Sequence, residues 1–255
     1  MKTVSAERIQ IANWGIEMAT GVVIRQLRTG NLTPLAGTET LTGIHKQEIG
    51  SAYLNVNGLS DDHQGDKRHH GGPEKALHHF AADHYHRLRG ELPAPASEHC
   101  QPGAFGENLV TEGFTETDVC AGDIFELGEA VIQVSQPRQP CWRLNLRFGI
   151  PDMSQRLQNS LRTGWYYRVL QSGTVSKGDV LRLKERLHED WPLSRVLSLL
   201  YENTLDRTAL AVMADINELS PNLKQLAKQR LETQQVESWE GRLFGPSKQG
   251  SVTGP

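Results

Sequence analysis

The segment Ala130-Val-Ile-Gln-Val-Ser135 is an apolar, alternating run of the kind that forms a β-strand. It leads directly into Gln136-Pro-Arg-Gln-Pro-Cys141-Trp-Arg-Leu-Asn145. Each proline fixes φ and removes a backbone donor, so the chain leaves the sheet here as a shaped loop. That loop sets one cysteine between Arg138 and Arg143. Guanidinium charge beside a thiol favours the thiolate, the form that binds metals or attacks electrophiles. A free cysteine is just as often a small buried hydrophobe, and this stretch alone leaves both readings open.

On either side of it, residues 21–28, 52–59, 108–111, 123–127, 130–135, 165–170 and 180–184 read as short strands. Gly122-Asp123 and Gly178-Asp179 are turn signals at strand entrances. Closely spaced strands punctuated in this way predict a barrel or folded-over sheet. Two helices are expected to interrupt it, one over 74–89 with Pro73 just ahead and one over 151–161. Beyond Arg186 the spacing turns helical over 191–202, 206–216 and 221–232, with Asp206 and Ser220 as N-caps. A short apolar stretch, 239–244, closes this set. The expected organisation is an N-terminal arm (1–20), a mainly β domain (21–186), a small all-α domain (190–245) and a Gly/Pro/Ser-rich tail (246–255).

Composition narrows the class. The chain of 255 residues has 37% hydrophobic and 22% charged residues, as globular proteins do. A net charge of −3 supplies no global basic field, so neither a nucleic-acid polymer nor a membrane surface is an expected partner. Three cysteines without a CxxC pair exclude a cysteine-rich zinc module and an iron–sulfur cluster held by this chain alone. An odd, sparse set fits a reducing cytoplasm.

Gly65-Asp-Lys-Arg-His-His-Gly-Gly-Pro73 places basic side chains ahead of an expected helix N-terminus, a pattern suited to an anion such as phosphate. A solvated basic turn is the simpler alternative. His79, Asp83 and His86 would share one face of a helix over 74–89, a spacing that can hold zinc and would suit a zinc-dependent hydrolase, although an ordinary helix face has the same pattern. Phe105-Gly-Glu-Asn-Leu109 joins a glycine to two side chains able to read a polar heterocycle, or it is an ordinary turn into a strand.

Taken in order, Gly65-Asp66, His69-His-Gly-Gly-Pro73, Phe105-Gly-Glu-Asn-Leu109, Gly122-Asp123 and Gln136-Pro-Arg-x-Pro-Cys141-x-x-Leu-Asn145 resemble the MOSC-domain proteins of the bacterial YiiM-like branch. The likeness runs over about 20–186, and the later helices resemble the three-helix domain that this branch carries. The resemblance implies a mainly β fold, a MOSC-type β-barrel with a few inserted helices followed by a small all-α domain. It implies the molybdenum cofactor (molybdopterin), with Cys141 as the thiolate ligand and catalytic centre. Lys67, His70, Arg138 and Arg143 would neutralise the anionic cofactor, Phe105, Gly106, Glu107 and Asn108 would line its pocket, and Asn145 closes the motif. The implied chemistry is reduction of N-hydroxylated substrates such as 6-hydroxylaminopurine. The alternative is a carrier of cofactor or sulfur without turnover. With no second redox group in the chain, electrons are expected from a separate donor, a flavoprotein reductase, and family analogy leans towards a homodimer.

Overall fold

A computed structural model describes residues 21–35, 37–65 and 71–246. The expected arm (1–20), Lys67 and His70 with the rest of 66–70, and the tail from 247 onward lie outside the described residues. The strands are β1 (Gly21–Val23), β2 (Gln26–Thr29), β3 (Thr33–Pro34), β4 (Leu41–Thr42), β5 (Gln47–Ile49), β6 (Ser51–Asn55) and β7 (Gly58–Leu59). They continue as β8 (Leu77–Ala81), β9 (Leu109–Thr111), β10 (Ile124–Leu127), β11 (Ala130–Pro137), β12 (Trp165–Gln171), β13 (Gly173–Ser176) and β14 (Val180–Glu185). Nine of them form one curled sheet, a half-barrel, in the order β1-β14-β10-β11-β12-β8-β9-β2-β5. β8 and β9 pair in parallel, and the other ladders of that sheet are antiparallel.

β11 is the spine of this sheet, paired with β10 on one side and β12 on the other. The β10–β11 turn is two residues, Gly128-Glu129, and Gly128 has φ 56°. A Cβ there would lie 2.5 Å from the Thr174 carbonyl oxygen, so only glycine fits. Inward side chains Phe125, Leu127, Ile132, Val134, Trp165 and Tyr167 form the main apolar core, which continues into the C-terminal helices through Val196, Leu200, Leu210 and Leu223. One continuous core therefore joins the sheet and the helices.

The helices are α1 (Asp83–Glu91), α2 (Arg143–Phe148), α3 (Met153–Asn159), α4 (Leu193–Tyr201), α5 (Arg207–Asp215), α6 (Pro221–Thr233) and α7 (Glu240–Phe244). Asp206 caps α5 by accepting from the Ala209 amide (3.1 Å), and Ser220 caps α6 by accepting from Leu223 (3.4 Å). Both caps agree with the sequence pattern.

The helix expected over 74–89 is corrected. Pro73–Lys75 makes a single 3-10 turn, Leu77–Ala81 is the strand β8, and only Asp83–Glu91 is helical. All five β8 residues are buried between two neighbouring strands, so the run lacks the alternation that marks a one-sided strand. Pro73 therefore opens a 3-10 turn and not the α-helix whose dipole was expected to favour an anion. The strand expected over 21–28 is two pieces, and that over 52–59 is the hairpin β6–β7.

His79 illustrates what β8 does. Its Nδ1 meets the Tyr167 hydroxyl (2.9 Å) and its Nε2 the Thr111 hydroxyl (2.8 Å). Burial pushes its pKa down to about 3 from 6.5. The folded value lies below the unfolded one, so this stabilisation is complete above pH 6.5. It is lost as pH falls towards 3, by about 1.4 kcal/mol per pH unit. Between pH 6.5 and 4.5, the unfolding free energy of His79→Gln should fall by about 2–3 kcal/mol less than that of the wild type. Urea titrations at the two pH values measure this, and parallel losses would refute a neutral buried imidazole.

Candidate functional site

The cysteine loop is held from both sides. Arg138 donates its amide to the Gly164 carbonyl (2.8 Å), which anchors the loop where it leaves β11. Pro137 and Pro140 offer no donors, and the loop's further anchors come from α7. Arg242 Nη1 donates to the Pro140 carbonyl (2.6 Å), and the Trp142 amide donates to the Arg242 carbonyl (2.8 Å). α2 begins at Arg143, a helix not anticipated after two prolines. Asn145 lies inside it, donating to the Leu243 carbonyl (2.8 Å) and accepting from the Ser154 amide (2.7 Å). Asn145 is thus a clamp between α2, α3 and α7.

Cys141 stands where two cavities meet. The narrower, about 80 Å³, is walled by Phe105, Gly106, Asn108 and Arg138 with Lys46, Asp62 and His78. The wider, about 520 Å³, opens towards α6 and α7. Lys75, Cys141, Arg143 and Tyr166 border both.

Two residues that line the narrower cavity each carry a buried polar atom without a partner. Arg138 is 5% exposed, and its Nη1 has no hydrogen-bond partner. No carboxylate among the described residues pairs with this guanidinium. His78 is 4% exposed, and its Nε2 is likewise unpartnered. Burial first, then the Arg138 charge, holds the His78 pKa well below the usual histidine range, while a hydrogen bond with the Gly106 backbone acts the other way. The ring is therefore neutral. Buried polar groups are nearly always satisfied, so these two mark a place for a polar, anion-bearing ligand.

Asp62, Lys46 and Asn108 are already engaged with one another. Asp62 ion-pairs with Lys46 and accepts from the Gly30 amide (2.8 Å) and Asn108 Nδ2 (2.9 Å). Asn108 Oδ1 accepts from the His78 amide (3.0 Å), so Asn108 positions His78. Tyr166 packs against His78, with ring centroids 5.1 Å apart. Burial raises its phenol pKa while the neighbouring Arg138 works to lower it. Gly106 has φ 76°, and a Cβ there would come 2.8 Å from Ile44 Cγ1.

Of the expected site residues, Phe105, Gly106, Asn108, Arg138, Cys141 and Arg143 come together at the narrower cavity. Glu107 does not. It is fully buried behind the wall, where it accepts from the Gly103 and Phe105 amides and the Tyr85 hydroxyl. Asn145 borders neither cavity. The zinc alternative also fails, because His79 is on β8 and points into the core, away from Asp83 and His86 on α1. Among the described residues, no group of three His, Cys, Asp or Glu side chains is placed to hold a metal ion. Lys75 and His78 were not anticipated. They follow Gly71-Gly72-Pro73 by two and five residues, within the run misread as a helix.

The comparisons with known proteins bear on the family and the fold. The MOSC domain model matches residues 66–182, and the YiiM-like, 3-alpha helix domain model matches 191–234. "Protein YiiM" of Escherichia coli is 38% identical over 199 residues, covering 78% of this chain and 88% of the relative. The chain belongs to the YiiM-like MOSC family. A crystal structure of YiiM from Escherichia coli superposes with a TM-score of 0.75 at 31% identity, over 88% of this MOSC chain and 99% of that one. A further crystal structure, titled only as a hypothetical protein, gives 0.77 at 32% identity, over 88% and 95% of the two chains. A protein of Gibberella moniliformis named "Reductase" is 36% identical over 213 residues, which is 82% of this MOSC chain but 37% of that protein.

Proposed function

We propose that this MOSC protein is a molybdenum-cofactor-dependent reductase that converts N-hydroxylated compounds, 6-hydroxylaminopurine among them, to the parent amines. The observation that carries the reading is the buried, unpartnered pair of Arg138 Nη1 and His78 Nε2 on the wall that also presents Cys141. A soft sulfur donor, a cation that no carboxylate among the described residues pairs and a neutral imidazole form a donor set that fits a metal-bearing, anionic pterin. MOSC domains as a class are associated with that cofactor, and a relative named "Reductase" supports the reaction type.

In this reading Cys141 holds the metal through its sulfur. Arg138, with Lys75 and Arg143 on the adjoining walls, holds the anionic portions. His78 would offer its neutral imidazole on the same wall. When bound, the cofactor supplies the two-electron chemistry that takes an N-hydroxylamine to an amine and water. Cys100 and Cys120 border neither cavity, so neither is placed to pair with Cys141 as a redox dithiol. A separate cytoplasmic flavoprotein reductase would therefore deliver the electrons. Among the described residues no helix is long and apolar enough to cross a membrane.

Elemental analysis of protein made in a cofactor-competent host tests the reading. Stoichiometric molybdenum, together with conversion of 6-hydroxylaminopurine to adenine when a reductant is supplied, is the expected result. Molybdenum without turnover would make the chain a carrier, and stoichiometric zinc without molybdenum would overturn the proposal. Arg138→Met gives a sharper test. Removing a buried charge that no carboxylate among the described residues pairs should stabilise the cofactor-free protein by about 1 kcal/mol or more. The same variant should retain far less molybdenum. Lower stability with unchanged molybdenum would assign Arg138 a purely architectural part.

A further inference from the structure

The backbone on each side of Cys141 is tied to one distant residue. Arg242 Nη1 donates to the Pro140 carbonyl (2.6 Å), which belongs to the peptide entering Cys141. The Arg242 carbonyl accepts from the Trp142 amide (2.8 Å), which belongs to the peptide leaving it. Planar peptides leave each residue two soft dihedrals, so holding both flanking planes fixes φ and ψ of Cys141. The direction of its Cα–Cβ bond is then set, and one staggered torsion, χ1, places the sulfur. Within the loop itself, the Leu144 amide donates to the Cys141 carbonyl (3.0 Å).

Arg242 is itself held in place. Its Nη2 donates to Oε1 of the buried Gln158 on α3 (2.6 Å). Its guanidinium lies over the Tyr201 ring of α4, 5.7 Å from the centroid. The next residue anchors the backbone of α7, because the Leu243 carbonyl accepts from Asn145 Nδ2 (2.8 Å) and Ser154 Oγ (2.7 Å). Just ahead of α7, Glu237 takes a bidentate pair from the buried Arg230 of α6 (2.9 and 2.7 Å). Bidentate contacts add geometric specificity as well as energy. The helical domain thus delivers α7 to Cys141 along a fixed path.

We propose that Arg242 is a positioning residue for Cys141, the means by which the helical domain aims the sulfur. This role rests on the reading of Cys141 as the thiolate that holds the metal. The partners that orient a ligand tune the metal it binds, so a turn of the Cys141 backbone would alter the centre even with the thiolate kept. A guanidinium suits the task because it reaches Pro140 and Gln158 at once. A lysine ammonium keeps the charge but lacks that planar fork. A purely electrostatic part, with the Arg242 charge favouring a thiolate or an anion nearby, would ask only for the charge.

Alkylation of Cys141 by iodoacetamide in full-length, cofactor-free protein, read by mass spectrometry of its peptide, tests this. Arg242→Lys and Arg242→Met should both react about tenfold faster than wild type, the opening that follows loss of one charge-assisted hydrogen bond. Fully buried Cys100 is the internal reporter, and its rate should not change. Equal acceleration at Cys100 marks general loosening and overturns the proposal. So does a wild-type rate in Arg242→Lys with a slower one in Arg242→Met, the pattern of charge alone. If neither variant folds, Gln158→Leu decides, since it leaves Arg242 in the chain and unpins its Nη2. Faster alkylation there supports the bracket, and a wild-type rate overturns it. In molybdenum-loaded enzyme, Arg242→Lys should lower kcat for 6-hydroxylaminopurine about tenfold or more with KM unchanged. Full kcat despite faster alkylation overturns positioning. The reductase reading fails separately, because a loaded wild type that reduces nothing removes it while the alkylation rates still decide whether Arg242 orients Cys141.

Discussion

Replacing Cys141 by serine is expected to abolish reduction of 6-hydroxylaminopurine and to leave the fold intact. Cys141 borders both cavities, and serine is close to cysteine in size and shape, so the substitution adds no bulk to the loop. The change in unfolding free energy should stay within about 1 kcal/mol. The chemical change is much larger. A neutral hydroxyl does not replace a thiolate as a soft ligand, and no other cysteine borders either cavity. Turnover should fall below detection and molybdenum content should drop with it. Cys100→Ser and Cys120→Ser are the controls. Cys100 is fully buried, with its Sγ 3.8 Å from the Tyr85 carbonyl, and Cys120 Sγ lies 3.6 Å from the Glu189 carbonyl. Burial raises both thiols to about 11, so neither supplies a thiolate at neutral pH. Each serine variant should keep its activity. Turnover by Cys141→Ser at the wild-type rate would remove the thiolate from the chemistry.

What a sequence shows of such a site depends on range. β11 and its loop were legible because hydrophobic alternation, two prolines and a flanked cysteine all act within a dozen residues. The caps at Asp206 and Ser220 are equally local. β8 was not legible, because a strand buried on both faces loses the period that would distinguish it from a helix. That single misreading hid His78 and placed His79 beside Asp83 and His86. The clamp between the cysteine loop and α7 was out of reach for another reason. Arg242 and Pro140 are about a hundred residues apart, and no local pattern encodes their meeting. Residue type was read more reliably than direction. Phe105, Gly106, Glu107 and Asn108 were grouped as a pocket wall, yet Glu107 turns into the protein while its neighbours face the cavity.

That reversal makes Glu107 the position with the largest expected effect on stability. Its carboxylate gathers the Gly103 amide and the Tyr85 hydroxyl on Oε1 and the Phe105 amide on Oε2 (3.0 Å). Burial, then the Glu107 charge, pushes the Tyr85 phenol well up, so it remains a donor. Arg147 closes the arrangement from α2 by donating Nη2 to the Gly103 carbonyl (2.8 Å), with its charge lying close to Glu107. Glu107→Ala would leave two amides and a phenol without an acceptor in the core, and a half-buried guanidinium without its counter-charge. The expected loss is about 3–5 kcal/mol in urea unfolding. Glu107→Gln keeps the shape but turns one acceptor into a donor facing an N–H, so its loss should be intermediate. The consequence reaches the site, because Phe105 and Gly106 line the cavity. Molybdenum content should therefore fall in the order wild type, glutamine variant, alanine variant, in step with stability. A direct cofactor contact by Glu107 predicts a different result, with molybdenum lost at undiminished stability, and comparing the two measurements on the same variants decides between them.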